Sequence, residues 1–483
     1  MQAQVLESFA VALGQANVLT EPDDMAAYLT EWRGHFACAA AAVLRPGNTD
    51  EVAAAVALCN THGLAVIPQG GNTGLVGGAV AQSAQTQVVL SLDRMQRIRN
   101  VDTENDSITV DAGCILADVQ AAAEQAGRLF PLSLAAEGSC RIGGNLATNA
   151  GGVNVLRYGN IRDLCLGLEV ALANGEVWQG LSGLRKDNSG YDLKQLFIGS
   201  EGSLGVITAA TLKLFPRNQQ SETAWLALPD PKAAITLLNK LRHATGDNLI
   251  ACELIPQLAV DLVSRHIDGC RNPCDAEHPW HLLIEAATPA RGEWLRASLF
   301  DAIEQAMHDE LISDGLLADN LGQAQAFWRI RENIPEAQVR EGASIKHDVS
   351  VVVSRIPDFL QRAGAAVTRA VPGVRICAFG HVGDGNLHFN LSQPENESGA
   401  AFMTRTAELN QIVHDIVVDM HGSFAAEHGV GRLKTNALQR YKSAQALTLM
   451  QTLKKAIDPH AIMNPGAVVA ASSVTHTEDR GHE

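Results

Sequence analysis

Basic runs are missing from this 483-residue chain: no Lys/Arg cluster exceeds a local pair, and the formal net charge is −16 at pH 7. A protein that tracks a phosphate backbone carries a basic face, so nucleic acid is not an expected partner. Also missing is any charge-free apolar window approaching the roughly 18 residues that a spanning helix needs, so no transmembrane segment is expected. The start, MQAQVLESFAVALGQANVLT, lacks a basic opening, an apolar block and a small-residue cleavage site. It reads as a short amphipathic helix, and secretion is disfavoured. The nine cysteines show no repeating spacing and are odd in number, which argues for reduced thiols in a cytoplasmic protein. Cys270, Cys274, His278 and His281 crowd together around Pro273 and Pro279. Zinc fingers separate their ligand pairs by a longer gap, so a structural zinc is disfavoured there.

What is present is ordinary globular material. Apolar residues make up 46% and charged residues 19%, and the length implies two or three domains. The first 216 residues are rich in glycine and short β-like runs, with strands predicted at Val88–Leu92, Ile108–Ala112 and Val206–Phe215. The run Leu168–Trp178 reads as a hairpin, because Asn174-Gly175 suits a type I′ turn. Between them, Asp50–His62 places Val52, Val56 and Cys59 on one helical stripe and ends at Gly63. Beyond about residue 220, helical spacing recurs near 231–244, 292–314, 357–370 and 401–421. In the last of these Phe402, Ile412, Ile416 and Met420 face one way, with Gly422 as the cap. Strands are predicted at His281–Ala286, Val349–Val353 and Val374–Phe379. There is no internal repeat, and the tail from 471 to 483 reads as disordered.

Three glycine-rich segments stand out. Pro68–Gly78 (PQGGNTGLVGG) follows an apolar run and holds five glycines, which let successive N–H groups approach an anion. It is neither GxGxxG nor GxxxxGK[ST], so a Rossmann fingerprint and a P-loop are both disfavoured. Glu137–Asp163 mixes glycine with small and amide side chains, which suits a flat ring with polar edges. Ile198–Thr208 (IGSEGSLGVIT) adds three more glycines before a strand.

Together GGNTGLVGG, IGGNLATNAGG and GSEGSLGVIT resemble the FAD-linked oxidases of the vanillyl-alcohol-oxidase type, over about residues 20–470. The likeness is greatest to the branch of bacterial D-2-hydroxyglutarate and D-lactate dehydrogenases. It implies an α+β protein with a two-subdomain FAD-binding domain (1–216), an α+β substrate or cap domain (217–425) and a small helical C-terminal return (426–470). It also implies FAD contacts from Pro68, Gly70, Gly71, Asn72, Thr73, Gly74, Leu75, Gly77 and Gly78. The second segment would add Gly138, Ile142, Gly143, Gly144, Asn145, Thr148, Asn149, Gly151, Gly152, Tyr158 and Gly159. Glu201, Gly202 and Ile207 complete the set, with Asn464 of the ending DPHAIMNPGAVV near the flavin. Members that attach FAD covalently often use a His in the first loop; Asn72 stands there, so non-covalent FAD is expected.

FGHVGDGNLHFN (Phe379–Asn390) carries the strongest chemical signal. His381 and His388 are seven apart, but VGDGN between them reads as a turn, so the imidazoles can converge from its two arms. AAEHGVGR supplies Glu427 and His428. Two imidazoles and a carboxylate suit zinc, or manganese second, with positions left open for substrate; core histidines are the plain alternative. In the resembling family His381, His388 and Glu427 correspond to metal ligands. His428 is the candidate general base, and Asn390 is placed to hold a carboxylate oxygen. Arg331 and Lys346 match the family's substrate-carboxylate positions; without the resemblance they would read as a surface pair. Pro335 departs from the hydroxyl residue that glutarate-oxidising members often carry four positions after that Arg.

The implied reaction is oxidation of D-2-hydroxyglutarate to 2-oxoglutarate, with D-lactate or another D-2-hydroxy acid as the alternative. A flavin- or metal-binding protein without turnover is the reading from another class, and no nicotinamide fingerprint is present. By resemblance, the electron acceptor is an electron-transfer flavoprotein or a quinone, and a homodimer is compatible with the family.

Overall fold

The computed structural model describes residues 1–31 and 33–469; the tail 471–483 lies outside them. The opening segment forms the helix Ala3–Leu13, which buries Val5, Phe9 and Leu13. The stretch Thr49–His62 forms a helix because Asn48 accepts from the Glu51 N–H at its start and Gly63 takes φ +63° at its end. Such an N-cap is worth about 1 kcal/mol. This helix buries Val52, Ala55, Val56 and Cys59 and packs between two sheets, touching strands of each. One sheet runs in the order Val18–Leu19, Ala39–Leu44, Gln82–Ser91, Ala65–Gln69, its last two pairings parallel. The other, antiparallel, runs Ile98–Asp102, Ser107–Asp111, Val206–Lys213, Cys165–Ala171, Val177–Gly180. A single apolar cluster joins both.

The rest of the chain is built on an eight-stranded sheet. Its order is Asp314–Leu317, Gln220–Leu228, Trp280–Thr288, Leu249–Pro256, Arg375–His381, Asn386–Ser392, Ser344–Ile345, with Asp348–Ser350 also paired to Asn386–Ser392. Alternation along Gln220–Leu228 explains how it is covered. Ala224, Leu226 and Leu228 enter one core, while Trp225 and Ala227 enter another. The helices Pro231–Ala244, Trp294–His308, Ile356–Ala370 and Thr406–Asp419 cover the first face. Gln257–His266, Leu321–Glu332 and Ile334–Glu341 cover the second. With both faces covered, the strands read as near-continuous apolar runs rather than alternations.

Four local expectations change. The hairpin at Asn174-Gly175 is a three-residue loop in which the Gly175 N–H donates to Leu172 O. Gly175 alone takes positive φ, +84°, so the turn is not type I′. The helical stretch near 292–314 ends at His308, and Asp314–Leu317 is an edge strand. The stretch 401–421 breaks into Gly399–Met403 and Thr406–Asp419, which rotates the buried stripe. Leu409, Val413 and Val417 are buried in place of Ile412 and Ile416. Gly422 follows that helix, but His421 takes the left-handed conformation, φ +60°; Gly422 is needed because a Cβ would lie 2.3 Å from Ser350 O.

All nine cysteines are free, and among the described residues no helix is long and apolar enough to cross a membrane. Three histidines are held neutral. Burial lowers His281 and His347 to about 4 and His414 to about 3. Each folded value lies below the ordinary 6.5, so the unfolded chain binds more protons as pH falls. Their contribution is therefore complete above pH 6.5 and is lost as pH falls toward 4. The melting temperature should drop across that window; a level profile there would contradict the assignment.

Candidate active site

A cavity of about 1450 Å³ lies between the three glycine-rich segments and one end of the eight-stranded sheet. The first loop lines it through Pro68, Gly70, Gly71, Asn72, Thr73, Gly74, Leu75 and Gly78. Gly138, Gly143, Gly144, Asn145, Thr148, Gly151, Gly152 and Tyr158 line it from the second segment, and Glu201, Gly202 and Ile207 from the third. The loops approach so closely that side chains are excluded. A Cβ on Gly71 would lie 2.1 Å from Ser139 O, and one on Gly152, at φ +84°, 1.9 Å from Ser133 O.

Five residues expected at the cofactor stand behind this wall. Ile142 is buried in the core, and Asn149 caps the helix Ile142–Thr148 in the left-handed conformation. Gly77 and Gly159 take positive φ where a Cβ would strike Phe36 and Asp163. Asn464 ties the loops together: its Nδ2 donates to Gly78 O and to Glu201 O, both at 2.8 Å.

His381 and His388 converge as the turn reading implies. They end and enter the antiparallel strands Arg375–His381 and Asn386–Ser392, whose turn needs Gly385 because a Cβ there would lie 2.1 Å from Val351 O. The two imidazole Nε2 atoms stand 3.8 and 3.9 Å from the same oxygen, Glu427 Oε2. Glu427 Oε1 accepts from the Gly152 N–H at 2.8 Å, so this carboxylate joins the histidine pair to the second glycine-rich segment. The three donor atoms lie within 4.8 Å of one another. Asp348, His388 and His428 meet the same criterion, but the Asp348 carboxylate is already engaged. Its Oδ2 accepts the Glu427 and His428 N–H groups at 2.9 Å each, and its Oδ1 accepts from Asn386 at 3.0 Å. Of these two overlapping sets, His381, His388 and Glu427 is therefore the one left open to a cation.

Behind the histidines lies Glu253, fully buried. Its Oε2 accepts from Arg331 Nε at 2.5 Å, and its Oε1 forms an ion-pair contact with His381 Nδ1 at 2.5 Å, off the axis of a straight hydrogen bond. Burial would raise this carboxyl, but Arg331 and His381 hold it well below the carboxylate range. In return, burial would lower His381, yet Glu253 lifts it to about 9. Burial lowers His388 and His428, against the pull of Asp348.

Arg331 is buried, with its guanidinium 4.9 Å from the Phe379 ring centroid, so the surface-pair alternative does not describe it. Lys346 and Pro335 line the same cavity; burial and the Arg33 charge lower the Lys346 ammonium. Asn390 donates to Gln338 Oε1 at 2.8 Å. The His428 ring stacks near His388, and its Nδ1 lies 3.5 Å from Asp348 Oδ2. Sequence reasoning missed Glu253, Asp348 and Gln338 as supports. Glu253 had a signal: a lone acid inside the apolar run LIACELIP.

Comparison with known proteins gives the family of the chain. Residues 217–468 match the family described as FAD linked oxidases, C-terminal domain, and residues 40–180 match the FAD binding domain. The chain belongs to the FAD-linked oxidase family, and is a flavoprotein oxidoreductase by that membership. Among curated relatives, D-2-hydroxyglutarate dehydrogenase of Xanthomonas citri pv. viticola is 38% identical over 459 residues, covering 95% of each chain. The protein of that name from Stutzerimonas stutzeri is 35% identical over 471 residues, 97% of this chain and 99% of its own. The Arabidopsis thaliana D-2-hydroxyglutarate dehydrogenase, mitochondrial, is 37% identical over 468 residues, covering 96% of this chain and 81% of its own. Among solved structures, p-cresol methylhydroxylase superposes with a TM-score of 0.76 at 16% identity, over 97% of this chain and 96% of its own. That likeness shows the vanillyl-alcohol-oxidase type of fold alone.

Two substitutions test the construction. Gly71→Ala forces the first loop off Ser139 and should leave a folded protein depleted of flavin, read from the flavin-to-protein absorbance ratio; full flavin content would contradict the close approach. Glu253→Gln should keep flavin while lowering kcat/KM about tenfold to a hundredfold, because the charge that orients both His381 and Arg331 is lost. Unchanged turnover would show that Glu253 positions nothing.

Proposed function

We propose that this protein oxidises D-2-hydroxyglutarate to 2-oxoglutarate, using non-covalent FAD and a divalent cation, zinc first and manganese second. One observation carries the reading: two imidazoles face one carboxylate oxygen in the cavity that the glycine-rich loops, Arg331 and Lys346 also line. The names of the curated relatives support the substrate class.

The residues fit both groups. At Gly71 and Gly152 the loops leave no room for a Cβ, which lets the backbone approach a ligand as a cradle for a pyrophosphate requires. Asn72 Nδ2 donates to Thr30 O, and burial raises the Cys140 thiol, so neither offers a ready nucleophile to the flavin. His381, His388 and Glu427 would hold the cation. When bound, FAD supplies a two-electron acceptor for the C2 hydride, and the cation supplies Lewis-acid polarisation of the substrate hydroxyl.

The chain does the rest. His428, oriented by Asp348, takes the hydroxyl proton as the C2 hydrogen departs with its electron pair, leaving the 2-oxo acid. Arg331 has its Nε committed to Glu253, so its outer edge serves the C1 carboxylate, with Asn390 beside it. Lys346 gives the second carboxylate of a diacid the partner that burial demands. Pro335 in the wall, replacing a hydroxyl, favours D-lactate or a shorter acid as the second reading. Electrons then leave to an electron-transfer flavoprotein or a quinone, and nine free cysteines support action in the reducing cytoplasm.

Anaerobic bleaching of the flavin against D- and L-2-hydroxy acids tests the reading: D-2-hydroxyglutarate should bleach it fastest, and NADH should not. Lys346→Met should penalise 2-hydroxyglutarate about tenfold to a hundredfold more than lactate, since a lost charge-assisted hydrogen bond costs about 1.5–3 kcal/mol. Equal losses on both acids would remove Lys346 from the distal carboxylate and the diacid from the proposal.

A further inference from the structure

The loop between the helix Gln257–His266 and the strand Trp280–Thr288 holds Cys270, Cys274 and His278, and the strand itself adds His281, none of them used by the active site. The fold divides that group. His281 is fully buried and fully engaged: the Trp225 indole N–H donates to its Nδ1 at 3.1 Å, and its Nε2 lies 2.9 Å from Gln257 Oε1. It is a neutral core histidine, unable to take a metal without breaking both contacts.

Cys274 and His278 have a different companion. Asp314, at the start of the edge strand Asp314–Leu317, reaches them from across the sheet. One donor atom from each of the three lies within 4.8 Å of the others. His278 Nε2 is buried and has no hydrogen-bond partner, a costly state for a polar atom. It sits 3.9 Å from Asp314 Oδ2, beyond hydrogen-bond range. Two ligands at the usual zinc distances stand ~3.4 Å apart across a tetrahedral ion, so a shift of about half an ångström would let both bind one metal. The geometry repeats what is seen at Glu427, where imidazole Nε2 atoms face a carboxylate oxygen at 3.8 and 3.9 Å.

We propose that Cys274, His278 and Asp314 form a second metal site, structural in role and selective for zinc, with water completing the tetrahedron. A thiolate with an imidazole suits zinc over magnesium, calcium or manganese. None of the three residues lines the active-site cavity, so the ion takes no part in turnover. It clips the 267–279 loop to an edge strand whose only sheet partner among the described residues is Gln220–Leu228.

The experiment counts zinc per flavin in the purified, reduced holoenzyme from zinc-supplemented growth, by mass spectrometry of the metal. Wild type should carry two zinc ions. Cys274→Ser should carry one, with flavin content and turnover unchanged, as should Asp314→Asn, whose partly exposed side chain makes it the safer variant for folding. His381→Ala should keep one, and His381→Ala combined with Cys274→Ser should keep none. Wild type holding one zinc that survives His381→Ala but not Cys274→Ser would support this site while removing zinc from the catalytic reading. A His381→Ala protein without zinc would overturn the proposal, as would a count unmoved by both Cys274→Ser and Asp314→Asn.

Discussion

Two carboxylates from opposite halves of the chain grip one short stretch of backbone. Asp348, which begins the strand Asp348–Ser350 of the eight-stranded sheet, accepts the N–H groups of Glu427 and His428. Glu201, from the third glycine-rich segment, accepts those of Val430 and Gly431 at 2.8 and 2.7 Å. Residues 426–431 form neither helix nor strand, so these N–H groups would otherwise have no internal partner. Charge-assisted bonds are shorter and stronger than neutral ones. Four of them fix where the Glu427 and His428 side chains begin, and they do so by reference to both halves at once. Burial raises Glu201 even against those two bonds, so this grip is held at an electrostatic cost.

Glu253 plays the corresponding part inside the sheet. It is the buried negative charge between two groups that want one, Arg331 and His381. A buried ion pair seldom adds net stability, because desolvation offsets the attraction. Its value here is orientation. One arm fixes the imidazole that faces Glu427, and the other fixes the guanidinium that faces the cavity. The charges thereby follow one another in a chain of contacts, from Glu427 through His381 and Glu253 to Arg331.

What could be read from the sequence was whatever a short stretch settles alone. Asn48 and Gly63 bound a helix through their own side chain and their own φ, and Pro231–Ala244 has the bounds that its spacing predicts. The convergence of His381 and His388 was legible because the turn between them is local. The rest depends on distant partners. The break at 404–405 shifts a buried stripe by one position, something periodicity cannot register. Asp314 joins Cys274 and His278 only because the edge strand passes the loop, so the sequence offered His281 in its place. Asn464 was readable as a residue near the flavin loops, but not as the bond between two of them.

The position of that asparagine also sets the order of assembly. The strand Ala65–Gln69 receives its last neighbour from residues 462–464: the Val66 N–H donates to Ile462 O, and the Asn464 N–H donates to Val66 O, both at 2.8 Å. A sheet begun within the first hundred residues thus stays open at one edge until residue 464 has left the ribosome. Domains normally fold as units while synthesis proceeds, N-terminal first. Here the nascent first half must wait, with an unpaired edge exposed to other chains, through some four hundred residues of translation. The eight-stranded sheet, contained within residues 220–392, is free to form in that interval. The glycine-loop cradle is then closed only after Asn464 is made, and any truncation upstream of it strips the cradle of its closing bond.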